Sequence, residues 1–245
     1  MGHYVVFGAT GGIGAALSRR LRDGGHEVLL VARGEERLEA LSARLGCSYR
    51  SADATNEASV EKALDALPHV DGVACCVGSI LLKPLHLTRD ADLELVLEQN
   101  LKAAFVVARG AVKAMRAAKR GGSVLLFSSA AARAGLPNHE AIAMAKAGVE
   151  GLVRSAAATY ATTGIRVNAI APGLVDTPLA ARLLESPTLR QASEERHPLG
   201  RIANADEVAA AAAFLLLEDA SFITGEVLAI DGGLATLRPI SSRGR

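Results

Sequence analysis

Short apolar runs alternate along the chain with longer amphipathic stretches. Tyr4–Phe7 is apolar and rich in β-branched residues, and Glu27–Ala32, Ser48–Ser51, Gly72–Val77, Val124–Phe127, Arg166–Ile170 and Val227–Ile230 read as further strands. Gly72–Val77 is apolar throughout rather than alternating, the pattern of a strand covered on both faces. Between these runs the period lengthens. Gly12–Arg22, Glu35–Leu45, Glu57–Leu67, Asp90–Ala118, Asn138–Ala161, Pro178–Leu184 and Ala205–Leu217 read as helices. In Glu35–Leu45 the residues Leu38, Leu41 and Leu45 share one face, Pro68 ends the next helix, and Lys119-Arg120-Gly121 ends the long one.

Strands separated by helices of this length imply parallel pairing through right-handed crossovers. The expected fold class is α/β: a single doubly wound Rossmann domain spanning 1–245, with a parallel sheet of about seven strands and helices on both faces. Ligands on such sheets bind beyond the carboxyl ends of the strands, near the point where strand order reverses. Functional residues are therefore expected just after strands.

Composition narrows the partners. The formal net charge is +1, with no basic stripe for a nucleic-acid polyanion. No apolar run reaches the roughly 18 residues of a membrane span, and Met1 leads straight into a strand without a basic-then-apolar leader. Cys47, Cys75 and Cys76 are odd in number and match no zinc spacing, which suits a reducing compartment. A cytoplasmic protein with no metal is expected, and the basic tail 238–245 reads as a solvated end.

The first strand runs into Gly8-Ala9-Thr10-Gly11-Gly12-Ile13-Gly14, where a helix begins. Glycines permit a tight turn and a close backbone approach to a pyrophosphate, and the helix N-terminus offers free N–H groups. The spacing Gly-x-x-x-Gly-x-Gly resembles the glycine motif of the short-chain dehydrogenase/reductase family. Other residues continue the resemblance from Val5 to Gly233: Asp53 after the third strand, Gly78 after the fourth, Asn100 in the long helix, Ser129 after Val124–Phe127, Lys146, Pro172-Gly173 with Thr177, and Asp231-Gly232-Gly233. The resemblance implies cofactor contacts from Gly8, Thr10, Gly12, Ile13, Gly14, Asp53, Gly78, Asn100, Lys146, Pro172, Gly173 and Thr177. It also implies a catalytic serine at Ser129, a substrate lid over about 178–201, and a dimer or tetramer packed through the long helices.

The second strand ends Val31-Ala32-Arg33 without the acid that would bind a ribose 2′-OH. Arg33 is either a fork for a 2′-phosphate or a solvated loop arginine; NADP is expected over NAD.

The family's Tyr-x-x-x-Lys pair is broken here. Lys146 stands at the lysine position, but the tyrosine position is Ile142. None of Tyr4, Tyr49 and Tyr160 has a lysine four residues on, so no shift of register restores the pair. Isoleucine cannot exchange protons, and losing a general acid lowers a rate by about 10²–10⁴. His139 lies three residues before Ile142, and imidazole is the side chain suited to proton exchange near neutrality; alternatively it belongs to the loop, with Asn138 as helix cap. The family's Asn-Asn-Ala-Gly is Cys75-Cys76-Val77-Gly78, with the cysteines read as small apolar residues rather than a redox pair. Two functions stay open: an NADP(H)-dependent oxidoreductase of a small carbonyl or alcohol with an altered proton donor, and a catalytically silent NADP-binding sensor or partner subunit.

Overall fold

In the computed structural model, which describes residues 1–238, the chain alternates strand and helix as its pattern predicts. It runs β1 (His3–Phe7), α1 (Gly12–Asp23), β2 (Glu27–Ala32), α2 (Glu35–Leu45), β3 (Ser48–Ser51), α3 (Glu57–Leu64), β4 (Gly72–Cys75), α4 (Asp90–Leu97) and α5 (Ala103–Ala117). Then follow β5 (Gly122–Phe127), α6 (Glu140–Tyr160), β6 (Ile165–Pro172), β7 (Val175–Asp176), α7 (Ala181–Leu184), α8 (Pro187–Arg196), β8 (Ala203–Asn204), α9 (Ala205–Leu216) and β9 (Val227–Ile230). The expected basic tail lies, from residue 239 on, outside the described residues.

Seven parallel strands form one sheet in the order β3-β2-β1-β4-β5-β6-β9. Strand order reverses between β1 and β4, so the crevice above that pair is where a ligand belongs. Successive residues of β1 enter opposite layers. Val5 and Phe7 pack beneath α3, α5 and α6 with Val107 and Val153. Tyr4 and Val6 pack beneath α1, α2 and α9 with Leu17, Leu38 and Val208. Both faces of the sheet are thus buried, which explains the unbroken apolar runs of its central strands.

Helix ends follow local chemistry. Asn56 caps α3 through the Ser59 amide, Asn204 and Glu207 form a reciprocal capping box on α9, and Gly46 closes α2 at φ 65°. These devices stabilise helix termini by satisfying amides and carbonyls that lack a partner within the helix.

Several elements differ from the sequence reading. The helix expected to reach Leu67 ends at Leu64, because Ala66 and Leu67 turn back on Ala63 and Leu64 ahead of Pro68. The strand expected to reach Val77 ends at Cys75, where its partner β1 stops and the Cys76 amide makes a last bond to the Phe7 carbonyl. The long helix expected over Asp90–Ala118 is interrupted by a π-helical turn at Glu98–Lys102. The helix expected from Asn138 starts at Glu140; His139 is its cap residue, and Asn138 sits at φ 64° and cannot take that role. The lid contains a second helix, α8, and is bracketed by a two-stranded ribbon, β7 with β8. Among the described residues, no helix is long and apolar enough to cross a membrane.

Candidate active site

The glycine loop forms the floor of a groove of about 490 Å³ at the β1/β4 reversal. Gly8 has φ 77°, and a Cβ there would stand 2.8 Å from the Cys76 carbonyl carbon. A Cβ on Gly14 would collide with the Gly8 carbonyl oxygen. The loop is therefore a cradle that side chains would fill. Gly11 caps α1 with no side-chain bond, and the first turn of α1 carries no acid. The first-turn amides of α1 thus have neither a side-chain cap nor an acidic neighbour. Thr10, Gly12 and Ile13 also line the groove, as a diphosphate site requires.

One end of the groove is bounded by Arg33 and Asp53. Arg33 is exposed. Arg37, one helical turn further on, also lines the groove and donates to the Thr10 carbonyl at 2.8 Å. Sequence reading missed Arg37, although its spacing of four from Arg33 was a usable signal. Asp53 Oδ1 accepts the Thr55 amide and the Thr55 hydroxyl, both at 2.9 Å. The Thr55 amide hydrogen bond, working against partial burial, holds the Asp53 carboxyl below the ordinary carboxylate value.

Behind Gly78, at the other end, lie Asn100 and Lys146. Asn100 is buried in the π turn. Its Oδ1 accepts the Ser79 amide at 3.1 Å, while Nδ2 donates to Ser79 Oγ and to the Val96 carbonyl. It braces the loop carrying Gly78. A Cβ on Gly78 would stand 2.9 Å from Asn100 Oδ1 and 3.4 Å from Lys146 Nζ, so the three residues meet at one point. Lys146 Nζ donates to the Phe127 carbonyl at 2.9 Å. Burial drives its pKa down to about 8, with Cys75 and Cys76 opposing. Burial conversely pushes the Cys75 thiol up to about 11 and the Cys76 thiol higher still, so neither is a poised nucleophile.

Ser129, Ile142 and His139 border a second cavity of about 340 Å³. Ser129 Oγ accepts the Ala131 amide at 3.2 Å, which leaves its own hydroxyl proton free to donate. Ile142 is buried in an aliphatic cluster with Val96, Ala141 and Ala145, packed by Leu93 and Leu97. His139 is half-buried, with Nδ1 2.7 Å from the Pro137 carbonyl. That contact requires a proton on Nδ1 and leaves Nε2 as the acceptor nitrogen of the neutral ring.

Two supporting groups carried no sequence signal. His197, buried after α8, has Nδ1 2.7 Å from the Ser193 carbonyl, while Nε2 accepts the Leu174 amide at 3.2 Å. It locks the lid helix to the turn after Pro172, where a Cβ on Gly173 would stand 2.5 Å from His197 Nε2. Glu150, one turn past Lys146, accepts from the Ser128 hydroxyl and from Arg133 Nε, each at 3.0 Å. It ties the end of β5 to α6 beneath Ser129. Thr177 presses its methyl against Gly12, and so brings the root of the lid onto the glycine loop. Pro172 and Gly173 border the second cavity rather than the groove.

A family model described as Enoyl-(Acyl carrier protein) reductase matches residues 8–235. The cis-4-hydroxycyclohexanecarboxylate dehydrogenase of Sinomonas cyclohexanicum is 39% identical over 240 residues, 94% of this chain and 94% of that protein. Carbonyl reductase family member 4 of Danio rerio is 33% identical over 244 residues, 95% of this chain and 98% of that protein. A short-chain type dehydrogenase/reductase from Mycobacterium ulcerans superposes with a TM-score of 0.91 at 30% identity, covering 96% of this chain and 90% of that one. An actinorhodin polyketide ketoreductase solved with NADPH superposes with a TM-score of 0.90 at 29% identity, covering 96% and 98%. The glycine cradle, the sheet order and these likenesses agree, and the chain belongs to the short-chain dehydrogenase/reductase family of oxidoreductases.

Proposed function

We propose that this protein is an NADP(H)-dependent oxidoreductase that interconverts a small carbonyl compound and its alcohol by a proton route that bypasses position 142. The observation that carries the reading is Lys146. A lysine is buried beside Asn100 and behind Gly78, which lines the groove, although the tyrosine it would ordinarily serve is absent. Burying an ammonium group is unfavourable unless a partner repays it, and the ribose hydroxyls of a dinucleotide are suitable acceptors.

The nicotinamide ring, when bound, supplies or accepts the hydride. The protein's part is to bind, orient and move a proton. The first-turn amides of α1 hold the diphosphate. Arg33 and Arg37 favour a 2′-phosphate, and no carboxylate lines the end of β2 to select its absence. The Ser129 hydroxyl donates to the substrate oxygen and orients the carbonyl. His139 Nε2 exchanges the proton with that oxygen, directly or through one water.

The cavity beyond Ser129 is lined by Ile142, Leu183 and Leu189, with Arg196 at its edge. This suits an apolar skeleton carrying an anionic end, in keeping with the hydroxy-carboxylate named for the Sinomonas relative. Exposed Phe105 on α5 and the open space beside Gly151 on α6 support a homo-oligomer packed through these helices. The deciding experiment is NADPH oxidation with a panel of cyclic and linear keto acids. Turnover lost in Ser129→Ala supports the reading; turnover at the cofactor-only background for every compound rejects it.

A second reading, a silent NADP-binding sensor or partner subunit, is favoured by one observation. Ile142 is not merely unreactive but packed into an aliphatic cluster, as a position released from catalysis would be. It requires NADPH binding with no hydride transfer in a single turnover.

A further inference from the structure

At the end of the sheet opposite the groove, three donor atoms converge. His3 opens β1, and His69 and Asp71 lie in the turn before β4. His3 Nδ1 and His69 Nε2 are 3.0 Å apart. Asp71 Oδ2 is 3.4 Å from His69 Nε2 and 3.7 Å from His3 Nδ1. Among the described residues, this is the one group of three histidine, cysteine or carboxylate donors close enough to share an ion. We propose that His3, His69 and Asp71 form a zinc site that clamps the N-terminal ends of β1 and β4.

The donor spacing fits zinc. Zn–N and Zn–O bonds of about 2.0–2.1 Å at tetrahedral angles put neighbouring ligand atoms about 3.3 Å apart. The three observed separations bracket that value. Two imidazoles and one carboxylate leave a fourth position for water. All three side chains are partly exposed, at 14%, 27% and 25%, so the position opens to solvent and an ion has a way in.

The surroundings are built to hold these atoms in place. His3 Nε2 lies 3.2 Å from Glu27 Oε2 at the start of β2. A carboxylate on the far nitrogen fixes the ring's tautomer and leaves Nδ1 bare for a metal, the usual outer support of a ligating histidine. The Asp71 backbone is held on both sides, its amide bonded to the His3 carbonyl and its carbonyl accepting the Ser123 amide, each at 2.9 Å. Asp71 Oδ2 accepts the His3 amide at 2.8 Å and keeps a second lone pair, while Arg120 lies 3.4 Å from Oδ1. Without an ion, the 3.0 Å contact between the imidazoles carries a single hydrogen bond. Zinc would take the place of that hydrogen bond, with His69 carrying its one remaining proton on Nδ1. The site lies at the end of the sheet opposite the groove.

The test uses the full chain stripped of metal by a chelator and titrated with zinc against a chromophoric competitor. One equivalent should bind with micromolar or tighter affinity and raise the melting temperature. His69→Ala should weaken binding at least ~10-fold and abolish the thermal shift, and Glu27→Gln should weaken it by ~10-fold or more. Cobalt added to the unmutated protein should give the intense visible bands of a four-coordinate ion. No stoichiometric uptake, uptake unchanged in His69→Ala, or only the faint bands of six-coordinate cobalt each overturns the proposal. The cobalt spectrum decides even where the variant fails to fold.

Discussion

Lys146 turns its buried ammonium back onto the Phe127 carbonyl, 2.9 Å away, at the strand end that leads into Ser129. The contact places a buried ammonium within the fold's own hydrogen bonding, and the burial of that group makes protein stability depend on pH. The folded pKa is about 8 against an ordinary 10.5. Between those values the folded chain binds fewer protons than the unfolded one, so stability rises as pH rises through about 8. The Cys75 thiol, raised from 9.0 to about 11, works in the opposite sense above pH 9. The gain should therefore be visible between about pH 8 and 9. Melting temperatures of the cofactor-free protein, measured against Lys146→Met across this window, should show it; parallel curves for the two proteins would remove the effect.

Ile142→Tyr tests whether the remaining constellation is intact. The side chain faces the second cavity beside Ser129 but also packs against Val96 and Ala145. A larger residue should therefore destabilise the fold by about 1–3 kcal/mol. Carbonyl reduction should nonetheless rise, by up to the ~10²–10⁴ that a general acid contributes. Steady-state kcat with NADPH and a keto acid reads the outcome. Unchanged kcat in a folded variant would mean that Lys146 and Ser129 no longer address a substrate oxygen.

Under the proposed reading, Arg33 and Arg37 set the preference for NADPH. Removing either Arg33 or Arg37 deletes a charge-assisted contact worth about 1.5–3 kcal/mol, so the affinity for NADPH should fall roughly 10- to 100-fold while that for NADH changes little. Calorimetry with both dinucleotides on Arg33→Ala and Arg37→Ala gives the comparison. Equal losses for the two cofactors would assign the arginines to the shared diphosphate.

The cradle tolerates no side chain. Gly8→Ala adds a Cβ at φ 77° and 2.8 Å from backbone, a left-handed conformation that costs about 1–2 kcal/mol before any clash. Dinucleotide binding should vanish and the melting temperature should fall. Gly25→Ala, also at positive φ but with open space around the Cβ, is the control and should lower stability while leaving binding intact.

The proposed homo-oligomer has an equally simple probe. The space over Gly151 on α6 is open, and Phe105 on α5 is exposed. Gly151→Arg should leave the monomer folded and lower the mass measured by light scattering. An unchanged mass would place the subunit contact on another face.

The layered architecture was legible because each strand's apolar run and each helix's stripe is repeated often enough to survive local exceptions. The glycine cradle was legible for a related reason: its chemistry is backbone chemistry, and glycine announces it directly. What remained hidden depends on where chain segments meet. The π turn that carries Asn100 obeys no simple period, and its amide finds the Val96 carbonyl only because the turn is wide. His197 lies far from the turn it locks, and Glu150 reads as one more charge on a helix until Ser128 and Arg133 close around it. Asn138, a good cap by composition, is excluded by a left-handed backbone that composition does not encode.

The ribbon of β7 and β8 sets Val175 beside Ala203, so the lid departs from the domain and rejoins it at neighbouring points. Between those points Thr177 touches Gly12 and His197 holds the Leu174 amide, so the segment is stapled to the glycine loop at one end and to the tip of β6 at the other. A change in its length is therefore transmitted to both.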